Sequence, residues 1–137
     1  MKIVLDTNVL VSGLLSPFGP PGEIVRMTSA GMLQICYDAR IFAEYQDVLH
    51  RPKFVLNAAH TDALLDQIKA CGHSVVTQPL KKPLQDAGDE PFLEVAIAGK
   101  AACLITGNLK HYPPANRQHV TVLSPADFLD FYRRHSK

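Results

Sequence analysis

Short apolar runs alternate with longer amphipathic stretches along the whole chain. Residues 2–5, 33–36, 74–77, 103–105 and 120–123 are apolar, partly β-branched and bounded by turn or cap residues, which predicts five strands. Between them, residues 9–15 and 23–30 carry helical spacing, the second closed by Gly31. Residues 39–51 form a helix ended by Pro52, and residues 62–71 one capped by Thr61 and stopped by Gly72. A fifth helix over 91–98 opens with Pro91 in its first turn and closes at Gly99. In Ser124-Pro125-Ala126-Asp127, serine at the N-cap, proline at N1 and aspartate reaching back from N3 open the last helix. Residues 16–22, 79–88 and 112–118 are Pro-rich and read as loops. Strands alternating with helices of this length predict an α/β fold: one domain over residues 1–137, a three-layer α/β/α sandwich on a mainly parallel five-stranded sheet.

Four short polar segments stand just after, or one element after, a predicted strand: Asp6-Thr7-Asn8, Glu44, Asp86-Ala87-Gly88-Asp89, and Thr106-Gly107-Asn108. In an open parallel sheet that position is the carboxyl edge, where α/β proteins build their sites. Oxygen donors gathered there without Cys or His pairs suit a hard cation, Mg²⁺ or Mn²⁺. Phosphodiester hydrolysis needs what such an ion supplies, an acidified water and a clamp for the charge on the phosphoryl oxygens. Carboxylates clustered without a compensating cation repel one another by ~1 kcal/mol or more per close pair. The pattern therefore points to a metal-dependent enzyme acting on phosphate esters.

Each residue also has a plainer reading. Asp6 can be the N-cap of the helix after its strand, with Thr7 and Asn8 simply the first turn. Turning the helix by roughly 100° per residue puts Ile41, Phe42, Tyr45, Val48 and Leu49 on one apolar arc, with Glu44 about 40° beyond Val48. From that border Glu44 can face a cleft or pair with a neighbouring cation at the rim. Asp47 and Arg51, at i and i+4, read as a surface pair. Asp89 can cap the helix at Pro91, yet residues 86–90 hold more acid than one cap needs. Asp89 is thus the candidate ligand and Asp86 a supporting group. Asn108 can be an ordinary turn residue. Arg51, Lys53, Lys81, Lys82, Lys110 and His111 are candidate phosphate contacts, or a solvated face.

The composition, 47% apolar and 20% charged, is that of an ordinary globular protein, and a net charge of +1 argues against coating nucleic acid by charge alone while leaving room for a few phosphates held by a metal and a local basic patch. No stretch approaches the apolar length of a membrane span, and the start has no signal-peptide pattern, so a cytoplasmic protein without a membrane partner is expected. Cys36, Cys71 and Cys103 read as reduced, buried thiols.

Several stretches together resemble PIN-domain proteins, in particular the small bacterial and archaeal ones paired with antitoxins. They are Ile3-Val4-Leu5-Asp6-Thr7-Asn8-Val9-Leu10, the helix from Phe42-Ala43-Glu44-Tyr45 to Arg51-Pro52-Lys53-Phe54, residues 86–99, Leu104-Ile105-Thr106-Gly107-Asn108, and the Ser124-Pro125 and Phe128-Leu129 ending. The resemblance implies a twisted parallel sheet, frequent homodimers, and Mg²⁺- or Mn²⁺-dependent endoribonuclease activity restrained by a cognate antitoxin. It maps the acidic site onto Asp6, Glu44 and Asp89, as catalytic residues and metal ligands, with Thr106 beside them. Many members carry aspartate where this chain has Asn108; an amide still coordinates but adds no charge, so one ion is held more securely than two.

Two other readings remain open. A PIN-fold RNA-binding or scaffold module would keep the fold without catalysis, as Asn108 and the near-neutral charge allow. A haloacid-dehalogenase-type phosphatase also places aspartate after its first strand, but wants a second acid where this chain has Asn8.

Overall fold

The computed structural model describes residues 1–135. Five strands form one sheet: β1 (Lys2–Leu5), β2 (Gln34–Tyr37), β3 (His73–Ser74), β4 (Cys103–Ile105) and β5 (Val122–Leu123). Six helices flank it: α1 (Thr7–Leu15), α2 (Pro20–Ser29), α3 (Ala39–Leu49), α4 (Ala58–Cys71), α5 (Glu90–Ala98) and α6 (Pro125–His135). The strand order is β3-β2-β1-β4-β5, and every pairing is parallel. The sheet expected to be mainly parallel is entirely so.

This order decides where a site can form. The chain runs outward from β1 through β2 to β3, then returns to the other side of β1 with β4 and β5. The direction of winding reverses between β1 and β4, and there the loops leaving two neighbouring strands part and open a crevice. The central strands are sealed: Ile3, Val4, Leu5, Cys103, Leu104 and Ile105 are all fully buried. Parallel strands covered on both faces read as continuous apolar runs, which is why these two were plain in the sequence.

Several boundaries differ from the sequence reading. Helix α2 begins at Pro20, because Pro20 and Pro21 fill its first turn, where missing N–H groups cost nothing. Helix α4 begins four residues before the expected Asp62. Asn57 caps it, its side chain accepting from the His60 N–H at 3.1 Å, so Thr61 lies inside the helix instead of capping it. Strand β3 stops at Ser74, since Val76 is 90% exposed at the sheet edge. Strand β5 starts only at Val122, because Gln118 and His119 adopt left-handed backbone and hold the preceding residues in a turn. Cys36 and Cys103 are buried as expected, but Cys71, at the last turn of α4, is exposed. At α6 the Ser124 hydroxyl accepts from the Asp127 N–H at 3.1 Å, the serine half of the predicted cap.

Two contacts fix the helices that carry the acidic residues. Arg40 in α3 reaches Asp38 at 2.7 Å, Glu94 of α5 at 2.8 Å and the Thr77 hydroxyl at 3.1 Å, so it ties α3, α5 and the segment after β3 together. Gly13 lets α1 and α2 touch: a Cβ there would meet the Pro21 carbonyl oxygen and a Val25 methyl at 2.5 Å.

Candidate active site

Asp6 follows the last residue of β1, and its N–H continues the ladder to the Ile105 carbonyl at 2.9 Å. The residue takes the N-cap position of α1 through its backbone, yet its side chain makes no cap hydrogen bond. Instead Oδ2 accepts from the Thr106 hydroxyl at 2.8 Å, at the end of β4. The residue is 7% exposed, and its carboxyl has no ion-pair partner among the described residues. Burial raises its pKa above the ordinary carboxylate value, and the charge of Glu44 adds to the rise. The Thr106 hydrogen bond opposes both, as, more weakly, do the Thr7 and Asn8 backbone N–H groups. The Asp6 carboxylate is thus held chiefly by Thr106, with the first amides of α1 close by but no formed side-chain cap.

Glu44 sits half-buried on α3, at the border its helical phase implied. It pairs with no cation among the described residues; its Oε2 accepts from the Thr7 hydroxyl in the first turn of α1. Asp47 and Arg51 pair at 2.8 Å, as their i,i+4 spacing suggests. Asp6, Asn8, Glu44, Asp47, Arg51 and Phe54 line one cavity of about 720 Å³ between α1 and α3.

Asp89 comes from the opposite side, on a short 3₁₀ turn (Ala87–Asp89) before α5. Its side chain does not cap α5 either. The neighbouring Asp86 does the local capping, its carboxylate accepting from the Gly88 N–H at 2.8 Å. Asp89 is 9% exposed, and burial raises its pKa, with the charges of Asp6 and Asp86 pushing the same way and His111 opposing. His111 Nδ1 stands 3.0 Å from Asp89 Oδ2, but out of line for a hydrogen bond, so that buried oxygen has no hydrogen-bond partner.

The remaining candidates fall into two groups. Thr106 and Asn8 brace the loop after β4: Thr106 Oγ1 accepts from the Asn108 N–H at 3.0 Å, and Asn8 Oδ1 from the Gly107 N–H at 3.3 Å. The Asn108 side chain is exposed and makes no hydrogen bond among the described residues. Lys110 is exposed on the 3₁₀ turn Leu109–His111, and Lys53 Nζ lies 5.0 Å from the centre of the Phe54 ring, near the cavity mouth. Of the candidate phosphate contacts, Arg51 thus lines the cavity and Lys53 lies against the lining residue Phe54, while His111 stands against Asp89 and Lys81 and Lys82 are not among the cavity's lining residues.

One residue escaped the sequence reading. Tyr112 lies in a loop with no helical or strand pattern, yet it is fully buried, and the charges of Asp6, Asp89 and Glu44 all act on its phenol. Its place after Lys110-His111 gave no signal that the ring turns inward.

The structure therefore couples Asp6, Glu44 and Asp89 electrostatically around the ends of β1 and β4, with no cation among the described residues to neutralise Asp6 or Glu44. The donor chemistry fits a hard divalent ion: oxygen ligands, two of them buried, one with a free buried oxygen. The side chains are not drawn together into a ready cage. Among the described residues no three His, Cys, Asp or Glu groups converge closely enough to hold an ion as they stand. Glu44 leans on Thr7 and Asp89 faces His111, so binding requires their side chains to turn inward. No helix among the described residues is long and apolar enough to cross a membrane.

The family model described as PIN domain matches residues 2–110. A curated protein of Methanocaldococcus jannaschii, "Uncharacterized protein MJ1680", is 26% identical over 145 residues, a match covering 98% of this chain and 93% of that protein.

Proposed function

This chain belongs to the PIN-domain family, whose members are typically nucleases that use divalent metal ions, and from that premise we propose a Mg²⁺- or Mn²⁺-dependent endoribonuclease. Asp6, Glu44 and Asp89 are its metal ligands and catalytic residues, with Asn108 a neutral oxygen donor at the edge of the site. The observation that carries this reading is the burial of Asp6 and Asp89 without either side chain capping a helix, the charge of Glu44 raising the pKa of Asp6 and that of Asp6 raising the pKa of Asp89. Buried carboxylates that cap no helix, one without an ion pair and the other facing only His111, are destabilising unless a further cation joins them.

A bound divalent ion lowers the pKa of water and offsets charge building on the phosphoryl oxygens. The chain's own residues do the rest. Thr106 fixes the rotamer of Asp6 through Oδ2. Thr7 holds Glu44 at the cavity wall. Arg51 and Lys53 by the cavity, with Lys110 beyond β4, offer positive charge along which a phosphate backbone can lie, and the His111 ring stands beside Lys110 as a polar contact. Asp86 and Asn8 hold the turns that carry the ligands. With a neutral Asn108, one ion is the expected complement.

A cognate antitoxin and a homodimer are the partners this reading proposes, on the resemblance to small PIN proteins. A second reading, an RNA-binding or scaffold module without catalysis, draws on the amide at Asn108 and the absence of a ready cage among the described residues. The test is a panel of single-stranded RNA, single-stranded DNA and a phosphomonoester, each with Mn²⁺ or Mg²⁺. Internal cutting of RNA supports the ribonuclease. Turnover of the monoester alone supports a phosphatase, and RNA retention without cutting the binding module.

A further inference from the structure

Two buried polar atoms beside the carboxylates have no hydrogen-bond partner among the described residues: the Tyr112 phenol oxygen and Asp89 Oδ2. The segment after β4 brings them to the same acidic group. Its 3₁₀ turn Leu109–His111 sets the His111 ring 3.0 Å from Asp89 Oδ2, and Tyr112 follows directly, anchored by Arg117, whose Nε donates to the Tyr112 carbonyl at 2.7 Å. Burial, and then the charges of Asp6, Asp89 and Glu44, push the phenol's pKa well above its ordinary value, so it remains an O–H donor.

Tyr45 provides the internal comparison. It too is 0% exposed, and its hydroxyl donates to the Leu5 carbonyl at 2.5 Å. A buried hydroxyl without an acceptor is costly, and phenylalanine would fill the same space without that cost. The Tyr112 hydroxyl and Asp89 Oδ2, one a donor and the other an acceptor, are not bonded to each other. A single small group that accepts from a phenol and donates to a carboxylate completes both, and water is such a group.

We infer that Tyr112 is a positioning residue whose hydroxyl holds a water against Asp89 Oδ2 and so draws that carboxylate from His111 toward the cation site when the ion binds. The inference rests on the metal-site reading above, and it assigns Tyr112 a role in metal affinity that packing alone would not give it. Groups that orient a metal ligand from outside the coordination sphere alter affinity by about 10–100-fold when removed.

The experiment is Mn²⁺ titration by calorimetry of wild type, Tyr112→Phe, Tyr45→Phe and Asp89→Asn, with melting temperatures in EDTA alongside. Tyr112→Phe is expected to weaken Mn²⁺ binding about tenfold or more, with no fall in metal-free melting temperature. Tyr45→Phe, which strands the Leu5 carbonyl, is expected to lower the melting temperature and leave the affinity close to wild type. If Asp89→Asn abolishes binding while Tyr112→Phe binds like wild type, Tyr112 has no positioning role and the metal site stands. If Tyr112→Phe loses affinity and melting temperature together, as far as Tyr45→Phe does, the effect is general loosening and the inference fails. Wild type that binds no Mn²⁺ overturns the inference and the metal site together.

Discussion

The Thr106 hydroxyl donates to Oδ2 of Asp6 at 2.8 Å across 100 residues of sequence, joining the ends of the two central strands. The same hydroxyl accepts from the Asn108 N–H at 3.0 Å, so one buried oxygen both orients the first acid and shapes the turn carrying the amide. Thr106→Val keeps the shape and removes both bonds. It should cost about 1–3 kcal/mol, the usual penalty for stranding buried polar partners. It should also raise the Asp6 pKa further, since this hydrogen bond is the largest of the effects that lower it. Thr106→Ser should restore both properties. Denaturant unfolding of the two variants checks this, and a valine variant as stable as wild type would contradict it.

The pH dependence of the metal-free protein follows from the raised pKa values of Asp6 and Asp89. Their reference value is 3.8, and burial lifts both above it in the fold. The folded state therefore favours the protonated form. The stability linked to these groups is full below pH 3.8 and is lost as pH rises through the raised values. Asp6→Asn is neutral throughout and escapes that loss. In EDTA its stability relative to wild type should grow as pH rises from 3.8 toward neutrality. Urea unfolding at a series of pH values reads the difference directly; a relative stability that falls with pH would reverse the assigned cause.

Much of this was legible in the sequence, for identifiable reasons. Residues 3–5 and 103–105 are unbroken apolar runs because both their faces are covered, and the acids that follow inherit a known position at the sheet's carboxyl edge. Glu44 could be placed by helical phase. The weaker elements lie at the rims. Val75-Val76 looks like strand, but β3 has a neighbour on only one side and Val76 turns to solvent. Thr61 looks like a cap, while Asn57 captures that role earlier. Tyr112 and the approach of His111 to Asp89 depend on how one loop folds back, and no spacing rule encodes that.

Gly13 is expected to be intolerant of substitution. Glycine to alanine inside a helix ordinarily gains about 1 kcal/mol. Here the new methyl would stand 2.5 Å from both the Pro21 carbonyl oxygen and a Val25 methyl. Separating α1 from α2 to make room should cost about 1–3 kcal/mol and outweigh the gain. Thermal melting of Gly13→Ala tests the sign, and a stabilised variant would show that the two helices are not packed this closely.

The cysteines give a check on the fold itself. Only Cys71 is exposed, while Cys36 and Cys103 are buried and burial pushes the Cys103 thiol up to about 12. A thiol reagent should modify Cys71 rapidly in the native protein, and reach the other two only in denaturant. Rapid native labelling of Cys103 would contradict the position of β4 at the centre of the sheet.

The central claim is that Asp6, Glu44 and Asp89 hold a divalent ion that cuts RNA. Its most direct test is cleavage of a mixed single-stranded RNA pool by wild type and by Asp89→Asn, prepared identically, with Mn²⁺ and with EDTA. The account predicts internal cleavage by wild type with Mn²⁺, none in EDTA, and a loss in the variant of about 100-fold or more, as expected when a charged metal ligand becomes an amide. Cleavage by Asp89→Asn at the wild-type rate, or cutting by wild type that survives EDTA, would contradict it.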